Sequence, residues 1–195
     1  MDVFLSMGAF ALASSISPGP VNLVALSSGI QYGFGASMRH VAGATIGFTL
    51  LLVLTGFGLR EVLERWPSLT ATIQWAGVAF LLYLAWKLAL DDGEIGLDKA
   101  TNGPSLVTGA ALQWLNPKAW LASVAGMGIF VANGEPTLIW QFAAIYFVVC
   151  YASIACWAAA GLLLRQHLQS PARVRILNRM MALMLAGSAA YLVYA

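Results

Sequence analysis

Between one charged residue and the next, this chain repeatedly runs far enough to cross a lipid bilayer. No Asp, Glu, Lys or Arg stands between Asp2 and Arg39, Arg39 and Arg60, Arg65 and Lys87, Lys99 and Lys118, or Glu135 and Arg165, nor after Arg179. A hydrocarbon core about 30 Å thick needs roughly 20 apolar residues in a helix. Charged residues make up 9% of the 195 positions, against about 25% in soluble domains, so a soluble core does not explain the pattern. Runs such as Gly47 to Leu54 and Val78 to Leu84 are apolar on every face. A transmembrane barrel strand would alternate instead, and backbone groups in lipid are satisfied within an α-helix.

These features predict an all-α integral membrane protein forming one domain over residues 1–195, with six spans near 4–29, 40–59, 69–90, 104–131, 137–164 and 175–194. The connectors carry breakers: Gly33 and Gly35, Pro67, Asp92-Gly93, Asn133-Gly134 and Ser170-Pro171. The opening Asp2, in place of a positive segment, predicts a retained first span and not a cleaved signal peptide. Basic residues set orientation. Connectors one, three and five hold Arg39, Lys87, Lys99, Arg165, Arg173, Arg175 and Arg179, while two and four hold Arg60 and Arg65. The odd connectors are therefore expected in the cytoplasm of a bacterial inner membrane, with both termini on the periplasmic side. The basic fifth connector also meets anionic lipid. Trp66, Trp75, Trp86, Trp140, Tyr191 and Tyr194 fit interface anchors, and Trp114, Trp120 and Trp157 lie deeper, packing helices or lining a cavity. A net charge of +2, spread between apolar runs, gives no support for nucleic-acid binding. Cys150 and Cys156 lie six apart in one run and cannot pair on one helix; both are read as buried structural thiols. His40 is read as an interface residue, and Gly43 and Gly47 as a close-packing step in the second span.

Two interruptions carry the functional argument. Ser17-Pro18-Gly19-Pro20-Val21-Asn22 lies inside the first span and Gln113-Trp114-Leu115-Asn116-Pro117-Lys118 inside the fourth. Each falls in the first helix of a three-span half, the halves being residues 1–97 and 98–195. Proline has no N–H, so Pro18 and Pro20 are expected to free the carbonyls of Ser14 and Ile16, and Pro117 that of Gln113. Freed carbonyls in a membrane are tolerated where they face protein or a wet cavity. Half-helix ends favour anions at N-termini and cations at C-termini, which suits a zwitterion. Discontinuous helices at matching places in two halves point to a transporter site, and three spans per half predict an inverted repeat. Proline kinks also occur without any ligand; the matching positions, each beside an Asn, favour a cavity. Lys118 is the one basic residue placed inside a span. It either meets a substrate carboxylate, carries a proton, or snorkels to an interface. The expected substrate-binding set is Ser14, Ser17, Pro18, Gly19, Pro20, Asn22, Gln113, Asn116, Pro117 and Lys118.

Ser17-Pro18-Gly19-Pro20 with Gly33, Gly43 and Gly47, the stretch Trp75 to Lys87, and Leu115-Asn116-Pro117-Lys118 together resemble the lysine-exporter/homoserine-threonine exporter (LysE/RhtB) family. Ala25-Leu26-Ser27-Ser28 and Ala110-Ala111-Leu112-Gln113 look like its cysteine/O-acetylserine branch. The resemblance implies efflux of a small amino acid or derivative, driven by the proton gradient, with Pro18, Gly19, Pro20, Asn116, Pro117 and Lys118 important; substrates such as homoserine, threonine or lysine are the alternative. Many relatives carry an Asp after the glycine that matches Gly47, where this chain has Phe48. A thiol–disulfide carrier is disfavoured because no CxxC is present. A passive pore is compatible with the few intramembrane charges. No HExxH or GxSxG suggests a hydrolase, and neither enzyme activity, cofactor nor metal ligands are expected. A homodimer stays open.

Overall fold

The computed structural model describes residues 3–59, 65–93, 105–131, 134–168 and 170–194. Among them no strand occurs; the chain is helical. In order the helices are α1 (Val3–Ile16), α2 (Pro20–Tyr32), α3 (Phe34–Leu54) continuing into a π-helical turn (Thr55–Leu59), α4 (Pro67–Ala89), α5 (Leu106–Trp114), α6 (Pro117–Phe130), α7 (Pro136–Arg165) and α8 (Pro171–Tyr194). Arg60, Lys99 and Asn133 lie outside the described residues, as do the side chains of Tyr191 and Tyr194.

Prolines mark starts more than stops. Pro20, Pro67, Pro117, Pro136 and Pro171 each open a helix, where a missing N–H costs nothing and the fixed φ suits the first turn. Between α2 and α3 the chain turns on Gly33 at φ 82, a conformation that L side chains avoid. Consequently α3 starts at Phe34, earlier than the expected 40, and carries His40 well inside the helix. His40 is not an interface residue: it is fully buried, its Nε2 is 3.2 Å from the Val21 carbonyl, and its own carbonyl abuts Gly109.

Among the described residues three helices are long and apolar enough to cross a membrane: α3 with the kinked turn that follows it to Gly58, α4 from Ala71, and α7. The bent pair α1 and α2 adds a fourth if counted as one span. α5 and α6 are shorter pieces, of 9 and 14 residues, and α8 carries Arg173, Arg175 and Arg179 near its start. Large apolar side chains cover the outside, among them Leu5, Ile46, Leu82, Leu121, Val148 and Leu183. Polar ones lie inside, among them Asn22, Gln31, Ser37, Thr45, Gln113 and Asn116. That inside-out distribution suits lipid as the solvent, and the protein is a multi-pass membrane protein. Trp66, Trp75, Trp86 and Trp140 are exposed, consistent with their reading as anchors.

Packing is organised around α3 and α7. α5 lies on α3, α1 and α2 lie on α7, α3 and α7 meet each other, and α4 pairs with α8. Small residues permit the two closest approaches. A Cβ on Gly43 would collide with the Leu106 carbonyl, and one on Gly47 would sit 2.7 Å from the Ala110 Cα. Gly29 and Gly161 bring α2 and α7 together in the same way, against the carbonyls of Ala158 and Leu26 respectively. Cys150 is buried but Cys156 is exposed, because six positions on α7 carry the second thiol round to the outer face. The reading of both as buried thiols is corrected for Cys156.

Candidate functional site

α1 ends at Ile16 and α2 begins at Pro20, with a bend of 62° between them. A break of this kind exposes a run of carbonyls, and each one in this run has a partner. The Ser14 carbonyl accepts from Ser17 Oγ at 3.1 Å. Asn22 Nδ2 reaches back to the carbonyls of Ser15 at 2.8 Å and Ser17 at 2.9 Å. The Trp157 indole N–H donates to the Ile16 carbonyl at 2.9 Å. Lys118 Nζ donates to the carbonyls of Ser17 at 2.7 Å and Pro18 at 3.2 Å. Donors therefore converge from α2, α6 and α7. This accounting also explains Trp157: a deep indole needs an acceptor, and the break supplies one.

The second interruption closes on itself. Leu115 N–H donates to the Ala111 carbonyl at 3.0 Å and Asn116 N–H to that of Gln113 at 3.3 Å. Asn116 then caps α6, its Oδ1 accepting from the Lys118 N–H at 3.1 Å. Trp120 Nε1 returns to the Trp114 carbonyl at 2.7 Å, and Trp114 Nε1 ties the segment to the Gly47 carbonyl at 3.1 Å. The deep tryptophans thus serve as backbone caps, a role that neither packing nor cavity lining had covered.

The two interruptions meet through Lys118. Gly19 lies so close that a Cβ there would be 3.3 Å from Lys118 Cδ and 3.4 Å from Nζ. Beside this contact is a small cavity of about 40 Å³, enough to hold ordered water. Of the expected residues, Ser14, Gly19, Asn22, Gln113, Asn116 and Lys118 line it. Ser17 and Pro18 contribute carbonyls to Lys118, and Pro20 and Pro117 open helices beside it. Lys118 is the one basic residue in the lining, and its Nζ faces carbonyl dipoles. Gln113 is 6% exposed and turned to the cavity.

Sequence reasoning missed Ser15, Tyr146, Cys150 and Ile154 in the lining. Tyr146, Cys150 and Ile154 follow one another at four-residue steps on a face of α7, which was the available signal. Phe48 stacks on Tyr146 with ring centroids 4.3 Å apart. Phe48 and Tyr146 thus form an aromatic wall of the cavity.

Comparison with known proteins settles the family. The profile of the LysE type translocators matches residues 12–195. The chain belongs to the LysE family. Among relatives of this LysE-family chain, the cysteine/O-acetylserine efflux protein of Escherichia coli O1:K1 / APEC is 31% identical over 188 residues, covering 95% of this chain and 94% of the relative. The proteins of the same name in E. coli strain K12 and in Shigella flexneri serotype 5b (strain 8401) are 30% identical over the same lengths. No solved structure matches. The resemblance to the LysE family, carried by Ser17 to Pro20, Trp75 to Lys87 and Leu115 to Lys118, and to its cysteine-efflux branch, carried by Ala25 to Ser28 and Ala110 to Gln113, thus holds across the chain.

Proposed function

We propose that this LysE-family chain exports a small neutral amino acid, of the cysteine or O-acetylserine kind, from the cytoplasm across the bacterial inner membrane. In this reading six spans form two inverted three-helix halves, the proton gradient drives the cycle, and the odd connectors face the cytoplasm. The relatives' names support the substrate, and the family resemblance supports the driving force. The exchange of partners between halves supports the repeat: α1 and α2 lie on α7, and α5 lies on α3.

The observation that carries the mechanism is the Lys118 ammonium held on the Ser17 and Pro18 carbonyls. A substrate α-ammonium would seek those same carbonyls. Lys118 Nζ takes that place in the structure, beside the cavity of about 40 Å³. An arriving zwitterion takes the carbonyls with its ammonium and draws Lys118 onto its carboxylate. Each charge-assisted bond exchanged is worth about 1.5–3 kcal/mol, so the exchange is close to balanced and the site can open and close. Asn22, Gln113 and the Asn116 amide surround the substrate, and Tyr146 stacked on Phe48 forms the apolar wall for its side chain. Rocking of the halves then exposes the site to the other side.

Counterflow in proteoliposomes, with and without a pH gradient, tests this reading. Cysteine or O-acetylserine flux that the gradient stimulates is expected. Flux confined to large cationic amino acids overturns the branch, and the absence of any amino-acid flux overturns the function.

A further inference from the structure

A second cavity, of about 420 Å³, lies between α2, the end of α4, the start of α5 and Leu185 of α8. Its volume is within the range of about 300–1,000 Å³ usual for small-molecule sites, and about ten times that of the cavity beside Lys118. Both cavities touch α2. Val21 and Asn22 line the first, and Val24, Ser28 and Gln31 line the second. Residues 21, 24, 28 and 31 fall on one helix face, and ten residues of helix rise about 15 Å. α5 is shared likewise, with Ser105 and Thr108 at one cavity and Gln113 at the other.

The neutral polar groups of the larger cavity are largely engaged with their neighbours. Ser28 Oγ accepts from Ser37 Oγ at 2.7 Å, Gln31 Nε2 approaches Ser27 Oγ at 3.4 Å, and Ser105 and Thr108 hydroxyls lie 3.0 Å apart. Two charged groups have capacity left. Lys87 makes no hydrogen bond or ion pair among the described residues. Asp91 takes the Gly93 N–H and the Asn178 amide on one oxygen, Oδ1, both at 2.9 Å, and among the described residues Oδ2 has no hydrogen-bond partner. Asn178 is fully buried and its own Oδ1 has no partner, so the carboxylate is held in place by an amide fixed within the protein. Lys87, in the last turn of α4, and Asp91, just past the helix end, both line this cavity, which sets a cation and a carboxylate on its walls.

We propose that this cavity is a second binding site for a zwitterionic α-amino acid, with the ligand's ammonium on Asp91 Oδ2 and its carboxylate on Lys87. It rests on the export reading, in which this end of α4 faces the cytoplasm, and it gathers substrate on that side before the ligand reaches Lys118. Asn178 acts as a positioning residue for Asp91.

The test is transport by the full chain in proteoliposomes of known orientation, with cysteine and O-acetylserine as probes, for wild type, Lys87→Met and Asp91→Asn. Each variant is expected to raise the half-saturating concentration about tenfold from the face that carries residues 87 and 91. Half-saturation from the opposite face and the maximal rate stay within about twofold. A merely structural role would change both faces or the maximal rate. An amine analogue lacking the carboxylate should inhibit from the 87/91 face as well in Lys87→Met as in wild type, and poorly in Asp91→Asn. Wild-type half-saturation in both variants overturns the second site and leaves the export reading intact. Absence of amino-acid flux in wild type overturns both.

Discussion

The two interruptions differ in where their backbone partners come from. At Ser17–Gly19 the carbonyls of Ser15, Ile16, Ser17 and Pro18 depend on Asn22, Trp157 and Lys118, two of them more than a hundred residues away in sequence. At Leu115–Asn116 the segment is closed by its own N–H groups, the Asn116 cap and the nearby Trp120. The first break is satisfied by side chains from other helices, which in the proposed mechanism exchange for a ligand. The second is a fixed platform whose task is to start α6 and aim Lys118 across the gap. A membrane imposes this contrast, since carbonyls without donors are expensive in lipid. One interruption is cheap by itself, whereas the other stays cheap only while its donors, or a ligand in their place, are present.

Removing the donor that joins the two should have the largest effect. Lys118→Met keeps the chain length and apolar stem but deletes the ammonium. Export should fall at least about a hundredfold, the equivalent of roughly 2.7 kcal/mol, while the protein still inserts and elutes as the wild type does on size exclusion. Flux in vesicles near the wild-type level would remove Lys118 from the mechanism and leave the first break with a mere structural clamp.

Asn22→Leu comes next. It strips the amide donor from the Ser15 carbonyl and leaves the Ser17 carbonyl with Lys118 alone, and an unsatisfied buried group costs about 1–3 kcal/mol. A loss of about 3 kcal/mol is expected in thermal or denaturant unfolding within lipid nanodiscs, together with loss of export. Trp157→Phe is milder. It retains an aromatic of similar shape and removes the indole N–H from the Ile16 carbonyl, for about 1–2 kcal/mol of stability, with export lowered severalfold. If both variants unfold like wild type, the first break does not depend on distant donors and the contrast fails.

How much of this could be read from sequence follows from the same contrast. The all-helical build was legible because apolar run length is a local signal, whereas the start of α3 at Phe34 was not. Lys118 was legible as an oddity because a lone cation in an apolar run is costly. The identity of the donors was not legible. Nothing near Trp157 announces that Ile16, 141 residues away, supplies its acceptor, since that pairing depends on how α1 lies on α7. His40 was misplaced for a related reason. A polar residue next to Arg39 resembles a helix end, and only the turn at Gly33 shows that two helical turns precede it. The larger cavity could not be anticipated either. Its walls are four elements drawn from both ends of the chain, and Asp91 on its own resembles an ordinary helix-end carboxylate.

The smallest loss of stability should come from the second break. Serine is as good an N-cap as asparagine, with differences of only a few tenths of a kcal/mol, so Asn116→Ser should leave the unfolding midpoint nearly unchanged. The substitution also takes an amide donor out of the cavity, where Asn116 is among the lining residues. Export should therefore fall by about tenfold, or roughly 1.4 kcal/mol, without a matching loss of stability. Asn116→Ala removes cap and amide together and should add about 1 kcal/mol of destabilisation to that loss of export. If serine restores full export, the asparagine serves the backbone alone and the substrate is held by the first break and Lys118. If serine destabilises as much as Asn22→Leu does, the second interruption is not self-contained, and the two breaks are alike in their dependence on the rest of the fold.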